Sequence, residues 1–137
     1  EREATQLTKM ITDGSMRRGH LLALISADQL RSVGFLADQL LGTGFQLADL
    51  RKGGYTAAEM KAIKLKASEL REGGYTAGQL KAGGFPTSQL KVAGYTAAEL
   101  KAGGFVSRQL KAVGFSAQEL KSNGFSATEL RDGTFSA

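Results

Sequence analysis

Gly94-Tyr95-Thr96-Ala97-Ala98-Glu99-Leu100-Lys101-Ala102-Gly103 is the stretch whose reading decides the fold. Thr96 followed three residues later by Glu99 is a capping box: the hydroxyl can accept from the Glu99 N–H, and the carboxylate can reach back to the Thr96 N–H. Tyr95 precedes the cap and Leu100 takes the fourth helical position, the spacing of a hydrophobic staple. Ala97, Glu99, Leu100, Lys101 and Ala102 are good helix formers. Gly103 or Gly104 can take the left-handed conformation that ends a helix. The stretch predicts a helix of about six or seven residues and a Gly-aromatic turn.

The same pattern extends outward without insertion, so the last digit of the residue number names a column. Column 0 runs Leu30, Leu40, Leu50, Met60 and then Leu at every tenth position from Leu70 to Leu130. Column 5 holds every Phe and Tyr of the chain, with Ile25 and Leu65 beside them. Column 4 is glycine at 34, 44, 54, 74, 84, 94, 104, 114 and 124. Column 9 is Glu or Gln except Asp49, column 1 is Lys or Arg except Leu41, and column 7 is mostly Ala. The consensus G-[FY]-[ST]-A-x-[EQ]-L-[KR]-x-x covers residues 24–137 as about eleven repeats, the last incomplete.

A helix this short is marginal alone and must bury its apolar face on neighbouring repeats. Columns 0, 7 and 3 lie on one face. The predicted fold is all-α: an α-solenoid of very short helices, one per repeat, stabilised by nearest-neighbour interfaces. A β-solenoid is the competing fold, disfavoured because Ala, Glu, Leu and Lys favour helix and columns 0 and 5 do not alternate. Tyr55-Thr56-Ala57, Tyr75-Thr76-Ala77 and Tyr95-Thr96-Ala97 match closely while the repeats between them deviate, which hints at a twenty-residue period. Leu36, Gln46 and Lys66 cannot supply the Thr or Ser cap, so helix starts are expected to shift there.

Residues 1–23 fall outside the columns. Leu7, Met10 and Ile11 have helical spacing, and Ser15 can cap a helix through Leu24. The segment reads as a helical N-terminal cap, or the end of a preceding segment. A start on Glu1 and a stop mid-repeat at Phe135-Ser136-Ala137 predict a longer natural array.

The residues at 94–103 resemble decapeptide helical-repeat arrays, and the resemblance extends over 24–137. It is specific as a repeat signature, and it implies no activity, ligand or catalytic residue.

The chemistry is sparse. With no Cys there are no disulfides or thiolate metal sites. His20 stands alone, whereas a metal site or an activated Ser needs convergent partners. Glu59, Glu69, Glu99, Glu119 and Glu129 are explained by capping, and the glycines match no phosphate loop. No apolar run approaches the ~20 residues of a membrane span. The expectation is a non-enzymatic scaffold without cofactor or metal, whose partner is another protein or its own assembly.

The alternative uses column 1. Net charge is +5 over the chain, and between Gln79 and Gln118 Glu99 is the lone acid. Lys81, Lys91, Lys101, Arg108 and Lys111 in that stretch are the candidate residues for binding a partner or an anion, nucleic acid above all. Against this, each column-1 cation is expected near its own helix C-terminus, where the macrodipole favours positive charge.

Overall fold

The computed structural model describes Lys9 and residues 26–133. The expected N-terminal cap over 1–23 and His20 therefore lie outside the described residues, save Lys9. Two compact segments are distinguished, 1–65 and 66–137. In the first, the described helices are α1 (Ala27–Ser32), α2 (Ala37–Gly42), α3 (Leu47–Lys52) and α4 (Ala57–Ala62). In the second they are α5 (Ala67–Glu72), α6 (Ala77–Ala82), α7 (Thr87–Val92), α8 (Ala97–Ala102), α9 (Ser107–Ala112), α10 (Ala117–Ser122) and α11 (Ala127–Asp132). More than half of residues 26–133 are helical, and no strand occurs among the described residues. Each segment is a solenoid-like array of short helices.

The period of ten follows from how the helices are closed. Six residues are helical in each repeat. After α8 the Gly104 N–H donates to Lys101 O and the Phe105 N–H to Leu100 O, both at 3.0 Å. That pair of bonds is a Schellman motif, and it brings the aromatic of column 5 against the Leu of column 0. The residue in the left-handed region is Gly104, at φ 92°; Gly103 has an ordinary φ of −80°. Phe105 then stands directly before the next cap. One aromatic thus closes the helix before it and staples the helix after it. A cap, six helical residues, a closing residue, a glycine and a shared aromatic complete the repeat.

Where column 6 is Thr or Ser the hydroxyl caps the helix, except at Ser26, whose hydroxyl donates to Asp28 and Gln29 instead. Thr96 Oγ1 accepts from the Glu99 N–H at 3.1 Å, and equivalent bonds start α4, α6, α10 and α11. The expected shift at Leu36, Gln46 and Lys66 does not occur: α2, α3 and α5 begin in register. The reciprocal half of the box suffices. The N–H groups of Leu36, Gln46 and Lys66 donate to Gln39, Asp49 and Glu69 at 2.7, 3.1 and 2.7 Å.

Packing runs chiefly two repeats on, and the adjacent pairs α6 with α7 and α10 with α11 pack as well. In the first segment α1 packs on α3; in the second α5 packs on α7, α6 on α8, α8 on α10 and α9 on α11. Leu30 to Leu120 of column 0, with Met60, are fully buried. Each such side chain stabilises the fold by about 1.5–3 kcal/mol. Columns 5 and 7 complete the core. Column 3 closes on the start of an earlier helix: a Cβ on Gly103 would lie 2.6 Å from Gly78 N, and one on Gly53 would lie 2.6 Å from Ala27 Cβ. The twenty-residue hint has a physical counterpart as well. The buried Tyr55 hydroxyl donates to Phe35 O at 2.7 Å, and Tyr95 does the same to Tyr75 O, each across twenty residues.

Candidate functional site

The column-1 cations were expected beside their own helix C-termini. They do stand in the last turn of their own helices, and the structure also engages them with a later repeat. Lys81 Nζ donates to Gly104 O at 2.7 Å and stands 5.1 Å from the Phe105 ring centre. Lys91 Nζ donates to Val113 O at 2.8 Å and stands 4.8 Å from Phe115. Lys101 Nζ donates to Gly124 O, lies 5.1 Å from Phe125 and pairs with Glu129 at 3.3 Å. The same geometry holds for Arg71, over Tyr95 at 5.3 Å and paired with Glu99 at 3.3 Å. In the first segment Arg31 lies over Tyr55 at 5.7 Å and pairs with Glu59 at 2.8 Å.

Three weak attractions therefore converge on one cation. The turn carbonyl faces it, the ring quadrupole draws it, and where column 9 is Glu a carboxylate adds charge. Acceptor and ring lie 22 to 24 residues ahead and the carboxylate 28 ahead. The Glu59 carboxylate raises the Arg31 pKa. At Glu129 the Ser126 N–H is the chief cause of a carboxyl held below its usual range, with Lys101 assisting.

The other candidates differ. An Arg108 nitrogen lies 3.5 Å from Asp132 O, a long contact, and Arg108 is exposed. Lys111 is exposed at the end of α9. The five candidates lie in one segment, but three of them are turned to turn carbonyls and rings of that segment. Residues missed by reading single repeats include Ser107, buried in column 7, whose hydroxyl donates to Glu129 O. Asn123 is another: its side chain accepts from the Ala98 N–H at 3.3 Å and donates to Glu119 O at 2.6 Å. The signal for both would have been the offset of 22 to 25 residues, invisible within one repeat.

A groove of about 480 Å³ in the second segment is lined by Arg71, Gly74, Tyr75, Thr76, Tyr95 and Glu99. Its two charged walls, Arg71 and Glu99, pair with each other. Among the described residues no three His, Cys, Asp or Glu side chains converge to hold a metal ion. No described helix is long and apolar enough to cross a membrane.

A family model described as a decapeptide repeat region matches residues 25–96 and again 74–137. The chain belongs to the decapeptide repeat region family. No curated protein and no solved structure matches the chain. The family match agrees with the all-helical repeats.

Proposed function

We propose that this decapeptide array is a non-enzymatic scaffold, presenting a regular surface to a protein partner or forming part of a larger assembly. The observation that carries this reading is the use of column 1. Lys81, Lys91 and Lys101 each link their repeat to a carbonyl and a ring more than twenty residues ahead. A side chain held in this way is a brace first, and it has less freedom to follow a ligand. Links from repeat to repeat of this kind are what a repeat scaffold needs.

The second reading keeps the five candidates as an anion-binding stripe. It draws on the exposure of Lys81, Arg108 and Lys111 in a stretch where Glu99 is the lone acid. Fluorescence anisotropy of labelled duplex DNA, titrated with the array at about 50 mM and about 200 mM salt, separates the two. The scaffold reading expects no salt-sensitive binding. Affinity that collapses between these salts, and is lost in an array still folded by circular dichroism after Lys81, Lys91, Lys101 and Lys111 are changed to Gln, would sink it in favour of the stripe.

A further inference from the structure

The turn Ile63-Lys64-Leu65-Lys66 departs from the pattern at each position that holds a turn shut. Lys64 stands in the glycine column with φ 69°, the one non-glycine residue at positive φ among the described residues. There its Cβ crowds the backbone in a way that glycine avoids. Leu65, half-buried, replaces the aromatic that closes one helix and staples the next. Lys66 has no hydroxyl to accept from the Glu69 N–H, so only the reciprocal half of the capping box remains.

Local opening is easiest where stabilising contacts are fewest. Here the glycine, the aromatic and the capping hydroxyl are lost together. The turn also carries what a lysine-specific endoprotease reads, because Lys64 and Lys66 are both exposed. Lys81, Lys91 and Lys101 differ: their turns have glycine in column 4, and their ammonium groups are held by turn carbonyls. We propose that the 63–66 turn is the array's built-in opening point and a cleavage site for trypsin-type serine proteases. The reaction is hydrolysis of the Lys64–Leu65 or Lys66–Ala67 peptide bond. Water supplies the hydroxyl to the lysine carbonyl carbon and a proton to the departing amine.

The test is a time course of the full chain with dilute trypsin, followed by intact-mass spectrometry. Within residues 26–133 the first cut is expected after Lys64 or Lys66; a first cut at any other lysine or arginine of that range overturns the proposal. A Lys64→Gly variant keeps the Lys66–Ala67 bond as a reporter while removing the left-handed lysine. When opening is fast relative to cleavage the rate follows the open population, so cutting after Lys66 should slow about three- to tenfold. An unchanged or faster rate in this variant would show that the turn's conformation does not govern cleavage, and the proposal would fail.

Discussion

Thr96 and Val106 occupy the same column, and their difference isolates the worth of one hydroxyl. Thr96→Ala removes a cap that accepts from the Glu99 N–H and should cost about 1 kcal/mol. Val106 has no side-chain acceptor, and α9 starts with the Val106 N–H donating to Gln109 at 2.9 Å. Val106→Ala should cost clearly less; equal losses in urea denaturation would contradict the column assignment. Neighbouring glycines divide in the same way. Gly104 is required by its backbone, at φ 92°, whereas Gly103 is required by space. Gly103→Ala places a methyl 2.6 Å from Gly78 N, and should cost about 1–3 kcal/mol through overpacking although its own φ suits alanine. A neutral or stabilising effect, as at an open helical position, would mean that the close approach to α6 is wrong. Residue-level reasoning on the sequence could place a left-handed glycine at 103 or 104, but not choose between them. The choice rests on where the six-residue helix stops, and its boundary depends on the Schellman bonds rather than on composition.

The helices were legible because each carries its own punctuation: a cap, a Leu, a glycine and an aromatic at fixed offsets. That punctuation is redundant, which is why α2, α3 and α5 keep register without a Thr or Ser cap. What one repeat could not disclose was which helices touch. The packing of helices on those two repeats ahead within each segment depends on the path of the chain in space, and only the matching Tyr55, Tyr75 and Tyr95 repeats pointed to it. Those tyrosines also give the elements a pH dependence. Burial is the main cause that pushes the Tyr55 hydroxyl up to about 12, with Glu59 adding to the rise and Arg31 opposing it. Burial raises Tyr95 in the same direction. The folded state holds these protons more tightly than the unfolded state, where tyrosine titrates near about 10. Their contribution is therefore complete below about pH 10 and is lost as pH rises towards about 12. Comparing wild type with a Tyr55→Phe/Tyr95→Phe variant by urea denaturation at about pH 9 and about pH 11 separates this effect from lysine deprotonation, which both proteins share. The variant should lose less stability over that interval; identical losses would contradict buried hydroxyls bonded to carbonyls.

Over the whole molecule the question is what the net positive charge is for. Reading the columns placed the cations on one side, each beside its own helix end, and such exposed charges contribute little stability. On that view Lys101→Ala costs under about 0.5 kcal/mol. Its contacts with Gly124 O and the Phe125 ring raise the expected cost to about 1 kcal/mol. The brace was not legible in the sequence because its partners lie 22 to 28 residues ahead, where no single repeat shows them. The most direct measurement of the central claim is the urea denaturation of an array with Lys81, Lys91, Lys101 and Lys111 all changed to Gln. Glutamine keeps helix propensity and removes four charges from a chain of net charge +5, so relief of repulsion alone would leave stability unchanged or raise it. If the cations brace one repeat to another, the variant loses about 2–4 kcal/mol of stability while remaining helical. A midpoint unchanged or raised would contradict the brace and return column 1 to a solvated stripe.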